Sequence, residues 1–262
     1  MSEYIFDTHK ADRELHRLKL IEAAFDPDSV SFLNKTPLKK GWHCLEIGPG
    51  AGSIFAWMGK KVGPGGRVVG VDKDTHYLAH FAEAPFEVIQ GNFADMSFES
   101  PFDLLHCRYV LIHNPEEKQL IPKIKKVLKP GAYLVLQEPD FTCAMVLNNS
   151  DDLPQQRVNR AICRMFVDAG LNPAYGLSLP LKLEQNGFEI VDIKSSMHLC
   201  PGGSPVAQVM GESAKALREK YIATGETNDA DIQQYITHAE NAQYWSVYYS
   251  TISVIAKRSF LL

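Results

Sequence analysis

The segment Leu45-Glu46-Ile47-Gly48-Pro49-Gly50-Ala51-Gly52-Ser53 places three glycines at alternate positions between two apolar runs. Upstream, Cys44, Leu45 and Ile47 predict a short strand, and downstream Ile54-Phe55-Ala56-Trp57-Met58 predicts a helix. In a strand–turn–helix unit of this kind, the glycines let the backbone approach a ligand closely. The helix N-terminus adds unpaired N–H groups. About 20 residues on, Val68-Val69-Gly70-Val71-Asp72 is an apolar strand ending in an acid. In doubly wound folds an acid at that place bonds ribose hydroxyls. Together the two pieces predict a nucleoside-binding α/β domain.

The glycine pattern departs from the dinucleotide fingerprint G-x-G-x-x-G. The third glycine comes early, at Gly52, Ser53 stands where it would fall, and Pro49 lies inside the turn. Outward from this segment the chain alternates strands with helices. Residues 10–25 carry Leu15, Leu18, Ile21, Ala24 and Phe25 at helical spacing, and Asp26-Pro27 predicts its end; a second short helix follows at 28–35. Strands are expected at 43–47, 67–71, 86–90, 102–106 and 132–136, and helices at 53–61, 74–83 and 116–128. This rhythm implies a parallel sheet wound on both faces.

From Asp140 the rhythm changes. Residues 148–152 are turn material, and a helix runs from Gln155 to Val167. A helix at 177–186 and a strand at 188–194 resume the pattern. Pro201-Gly202-Gly203 then opens two helices, 205–223 and 229–243, and residues 245–257 form a long final strand rich in β-branched and aromatic residues. The expectation is one domain over 1–262, with N-terminal helices in 1–40 and helical lid insertions at 140–175 and 200–244. Such a lid would lie at the carboxyl ends of the strands, where ligands bind.

Hydrophobic residues make up 45% of the 262 and charged residues 22%, ordinary for a globular chain with a substantial core. A net charge of −4 gives no electrostatic footprint for nucleic acid. Residues 1–7 lack the basic start and apolar run of a signal peptide, and no apolar run reaches the length of a membrane span. Five scattered cysteines without C-x-x-C spacing read as reduced thiols. These features predict a cytoplasmic protein without a structural zinc.

Five ordered pieces carry a resemblance: residues 45–52; Val69-Gly70-Val71-Asp72; Gln90-Gly91-Asn92-Phe93-Ala94-Asp95; Phe102-Asp103-Leu104-Leu105; and Val127-Leu128-Lys129-Pro130-Gly131-Ala132. They resemble class I S-adenosylmethionine (SAM)-dependent methyltransferases, with Ala132 standing where that family's last turn has a second glycine. Tyr4, residues 14–18 and Gln137-Glu138-Pro139-Asp140 look like the ubiquinone/menaquinone-methyltransferase-like small-molecule subgroup. The resemblance covers about residues 41–138 and fades after Asp140. It implies a Rossmann-like doubly wound seven-stranded sheet, mostly parallel with an antiparallel last strand.

By position, the resemblance puts Gly48, Gly50 and Gly52 beneath the methionine portion and ribose of SAM, with Glu46 and Pro49 of the same motif among the cofactor-binding residues. Asp72 falls at the ribose hydroxyls, Lys73, Asn92 and Phe93 at the adenine, and Cys107 and Arg108 near the sulfonium. Tyr4 and Arg17 would close over the cofactor carboxylate. A phenol or carbon acid as acceptor would gain from a general base, for which His113, Glu138 and Asp140 are candidates. Each has a plainer reading as well. Asn92 after a glycine is a common turn residue, Arg17 an ordinary helix position, and His113 a cap beside Asn114-Pro115. His76 and His80, spaced i, i+4 on the expected helix, read as a solvated pair, so no metal is expected.

The expected function is methylation of a small-molecule acceptor at N, O or C, with no nucleic-acid partner and the oligomeric state, a homodimer included, left open. Alternatives are a SAM-binding enzyme that does not methylate, of cyclase or decarboxylase type, and a protein methyltransferase.

Overall fold

The computed structural model describes residues 11–114, 117–146 and 153–260. In chain order the helices are α1 (Ala11–Leu33), α2 (Ser53–Val62), α3 (Glu117–Val127), α4 (Leu153–Asp168), α5 (Tyr175–Gln185), α6 (Pro205–Ala216), α7 (Arg218–Ala223) and α8 (Asp229–Glu240). The strands are β1 (His43–Ile47), β2 (Arg67–Asp72), β3 (Phe86–Gln90), β4 (Phe102–Arg108), β5 (Leu128–Asp140), β6 (Met145–Val146), β7 (Phe188–Pro201) and β8 (Trp245–Arg258).

The sheet runs β3-β2-β1-β4-β5-β8, with β7 and the two-residue β6 both pairing β8. Setting β6 aside, it has the seven strands expected. The pairs β1/β2, β2/β3, β1/β4 and β4/β5 are parallel, and β8 runs antiparallel to β6, with Met145 opposite Val247. The parallel strands are apolar because both their faces are covered. Leu45, Val68, Val69, Leu104, Leu105, Leu134 and Val135 are all fully buried. Phe55 and Met58 of α2 pack with Val68, Leu104 and Val135 in one cluster. Full burial of either side chain stabilises by about 1.5–3 kcal/mol.

The chain divides into two compact units. One holds Phe25–Glu138, Leu177–Lys194 and the described part of Ile252–Leu262, and so contains β1 to β4 and most of β5. The other holds the described residues up to Ala24, those of Pro139–Gly176, and Ser195–Thr251. The segments read as insertions fall within this second unit. Its helices α4, α6, α7 and α8 pack on one another. A capping box at Asn228 and Asp231 starts α8, and Arg157 of α4 pairs with the Asp231 carboxylate.

Several expectations are corrected. Pro27 does not end the first helix; α1 continues to Leu33. Proline removes one backbone donor and lowers helix stability. Burial of Phe25, Phe32 and Leu33, on both sides of Pro27, outweighs that loss. The helix expected at 74–83 is a single 3-10 turn, His76–Leu78. There the Asp72 and Asp74 carboxylates accept the N–H groups of Asp74 (3.2 Å) and His76 (2.9 Å), which competes with helical bonding. The helix expected at 205–223 breaks at Leu217, whose side chain is buried. Asn241 caps α8 short of 243. Pairing with the equally long β8 extends β7 to Pro201, inside the segment expected to be helical. The turn expected at 148–152 lies outside the described residues. Among the described residues no helix is long and apolar enough to cross a membrane.

Candidate functional site

At the carboxyl end of β1 the chain makes its glycine turn. Gly48, Gly50 and Gly52 have φ of 70°, 58° and 92°, in the left-handed region that favours glycine. The Gly48 N–H donates to Val71 O (2.9 Å), tying the turn to the neighbouring strand. Val110 Cγ2 occupies the space a β-carbon on Gly48 would need, and a β-carbon on Gly52 would lie 2.6 Å from Phe81 Cε2. Pro49 is buried, and its carbonyl accepts the Gly52 N–H (2.9 Å).

Asp72 closes β2. One carboxylate oxygen accepts the Gly50 N–H (3.1 Å) and the other the Asp74 N–H (3.2 Å). Burial raises its carboxyl above the usual range, while these backbone donors oppose the rise. Lys73 is exposed, and its carbonyl accepts from Gln90 Nε2 (3.2 Å). The Gly91 N–H donates to Asp72 O (2.8 Å), which brings the end of β3 beside the end of β2. Asn92 Oδ1 accepts the Ala94 N–H (3.1 Å) and caps a 3-10 turn, Phe93–Asp95. Phe93 is buried against Phe98, with the Lys123 ammonium 5.6 Å from its ring centroid. The glycine turn, Asp72 and residues 91–93 therefore share the carboxyl end of three adjacent strands.

Cys107 and Arg108 were expected just past the fourth strand; they are its last two residues, because pairing with β5 continues to Arg108 opposite Gln137. Cys107 is fully buried and its thiol is pushed well up by desolvation. Arg108 Nη1 donates to Asp26 Oδ1 (2.9 Å) and Ser29 Oγ (2.8 Å). Glu138, fully buried, accepts the N–H groups of Val110 (3.1 Å), Leu111 (2.8 Å) and Ile112 (3.2 Å). Burial pushes its carboxyl up to about 8 in spite of these donors. His113 ends the 3-10 turn Leu111–His113, half-buried, its N–H on Val110 O (3.1 Å).

Beneath these groups runs a buried polar ladder. His106 Nδ1 lies 2.9 Å from Glu46 Oε1, and His106 Nε2 lies 3.4 Å from Gln137 Oε1. Gln137 Nε2 donates in turn to Ser253 Oγ (3.0 Å). Glu46 Oε2 is buried with no hydrogen-bond partner among the described residues. Sequence reasoning missed His106 and Val110 and gave Gln137 no role of its own in the site. The available signal was a polar residue inside an otherwise apolar strand, as at His106.

In the other unit, Asp140 is buried, and its carboxylate accepts the Thr142 N–H (2.9 Å) and hydroxyl (2.5 Å). Arg17 pairs bidentately with Glu14 one turn away (2.9 and 2.6 Å). Tyr4 lies outside the described residues. His76 and His80 are exposed and share no α-helix, and among the described residues no three His, Cys, Asp or Glu side chains could hold a metal.

Residues 45–136 match the family described as a methyltransferase domain. Over this stretch the chain resembles class I SAM-dependent methyltransferases. The match ends at Leu136, inside β5 and short of α4 and the helices beyond it. Over 231 residues the chain is 25% identical to an uncharacterized 37.1 kDa protein in transposon TN4556 of Streptomyces fradiae, covering 86% of this chain and 65% of that protein. It is 30% identical over 134 residues to a demethylmenaquinone methyltransferase of Lactococcus lactis subsp. lactis, covering 48% and 53%. The chain thus spans less than two thirds of the length of either. The crystal structure of the [4+2]-cyclase SpnF superposes with a TM-score of 0.57 at 16% identity, covering 89% of this chain and 80% of that one. That likeness concerns the fold alone.

Proposed function

We propose that this chain transfers the methyl group of S-adenosylmethionine to a small-molecule acceptor, at nitrogen, oxygen or carbon. The observation that carries the reading is the Asp72 carboxylate, held by the Gly50 N–H (3.1 Å) at the mouth of the glycine turn. One oxygen accepts the Gly50 N–H and the other the Asp74 N–H, the Lys73 N–H adds a third donor, and the remaining lone pairs suit two vicinal ribose hydroxyls. The buried, unpartnered Glu46 Oε2 suits the ammonium of the methionine end. Lys73, Asn92 and Phe93, at the ends of the next strands, take the adenine in this reading.

The cofactor supplies a methyl group already activated on a sulfonium. The protein aligns acceptor, methyl and sulfur and excludes water. Amine and thiol acceptors need no base. A hydroxyl or carbon acid does, and His113, Glu138 and Asp140 are the candidates. Glu138 is committed to three backbone donors and Asp140 to Thr142. Arg17, already paired with Glu14, would have to exchange partners to meet a cofactor carboxylate.

The test is incorporation of tritiated methyl from labelled SAM into the small-molecule fraction of an extract of the source, with Asp72→Ala as control. Label dependent on Asp72 supports the reading. Label confined to protein contradicts the small-molecule acceptor. Substrate turnover without release of S-adenosylhomocysteine points to the non-methylating class.

A further inference from the structure

The residues that follow β4 form a strap held from three sides. Arg108 is anchored on Asp26 and Ser29 of α1. Tyr109 is the one non-glycine residue among those described with a positive φ, 58°. Its N–H donates to Gln137 O (2.9 Å), and its ring packs edge-on against Phe25, with centroids 5.1 Å apart. A residue of this kind persists in the left-handed region only when its surroundings over-determine it. Immediately after it, three successive N–H groups, of Val110, Leu111 and Ile112, converge on the Glu138 carboxylate. Oε1 takes the first two and Oε2 the third. Successive N–H groups in this arrangement form a concave nest of donors, and here the chain fills it with the oxygens of its own Glu138 carboxyl group. Val110, the first residue of the nest, packs its Cγ2 against Gly48, the first glycine of the turn.

We infer that Glu138 is a positioning residue: by gathering the N–H groups of residues 110–112 it seats Val110 on Gly48 and fixes the glycine turn in its cofactor-binding shape. The ligand consequence rests on the cofactor reading above; the strap itself does not. The Cys107 thiol also faces the Val110 and Leu111 N–H groups, but Glu138 is the side chain that meets all three N–H groups of the nest. The assignment also separates Glu138 from catalysis, because its two oxygens are turned to the backbone.

Two measurements test it on the full-length chain. Amide hydrogen exchange without ligand should show residues 110–112 protected in the wild type, less so in Glu138→Gln, and least in Glu138→Ala. Gln keeps one acceptor oxygen, enough for Val110 and Leu111, but turns an N–H2 group toward Ile112; Ala keeps none. Calorimetry with S-adenosylhomocysteine should show Kd rising in the same order, by about tenfold for Glu138→Ala, the scale of re-ordering a short loop on binding. Val110→Ala, which leaves the nest intact, should weaken binding while residues 110–112 stay protected. That variant serves if the Glu138 variants fail to fold. Unchanged exchange in folded Glu138 variants, or unchanged affinity in all three variants, overturns the inference. A wild type that shows the exchange pattern but does not bind S-adenosylhomocysteine sinks the cofactor reading and, with it, the assigned purpose of the strap.

Discussion

Glu138→Gln should flatten the dependence of stability on pH. Glu138 is fully buried, no cation pairs with it, and Cys107, a buried thiol, is the titratable group beside it. Desolvation lifts its carboxyl from an ordinary value of 4.5 to about 8. Between those values the folded chain holds one proton that the unfolded chain releases, so stability falls as pH rises. The slope approaches ~1.4 kcal/mol per pH unit well below the folded value and fades as it is passed. From pH 6 to pH 8 this gives the wild type a loss of about 2 kcal/mol that the Gln variant, with nothing to titrate at this site, does not share. Urea unfolding at half-unit steps across that range measures it, with the two proteins compared at each pH so that other groups cancel. Parallel curves for wild type and variant would refute the reasoning, because Glu138 would then titrate as it does in the unfolded chain.

Gly52→Ala should lower stability by about 1–3 kcal/mol and disturb the turn, since alanine is strained at φ 92° and its β-carbon would press on Phe81; a thermal midpoint equal to the wild type's would contradict this. His106→Ala leaves the Glu46 carboxylate buried without its imidazole partner and should cost about 3 kcal/mol. Equilibrium unfolding reads the loss, and a wild-type midpoint would show the ladder to be dispensable. Cys44 and Cys107 are fully buried and their thiols are held in the neutral form by desolvation. Ellman's reagent at pH 8 should leave both unmodified until denaturant is added, as peptide mapping would verify.

The sheet was legible because parallel strands covered on both faces must be apolar runs, and Gly and Pro punctuate them. Residues 43–47 and 86–90 coincide with β1 and β3 to the residue. The glycine turn and Asp72 were legible for the same reason: glycine at φ 58–92° and an acid ending an apolar strand each leave a local signature. Misreadings arose where partners distant in sequence, or side chains bonding the adjacent backbone, decide. Pro27 is tolerated because residues on both sides of it are buried, and residues 74–83 lose their helix to two aspartate carboxylates. Glu138 looked like a base at a strand end, since nothing in the sequence announces that three N–H groups 26 to 28 residues earlier would meet it.

The central claim is that the turn at 48–52 and the Asp72 carboxylate together hold an adenosyl sulfonium. Isothermal calorimetry of the purified, folded chain against S-adenosylhomocysteine tests it most directly, with NAD and the Asp72→Ala variant as controls. The account predicts one site for S-adenosylhomocysteine, lost in Asp72→Ala and absent for NAD. Uptake of NAD with no uptake of S-adenosylhomocysteine would contradict it.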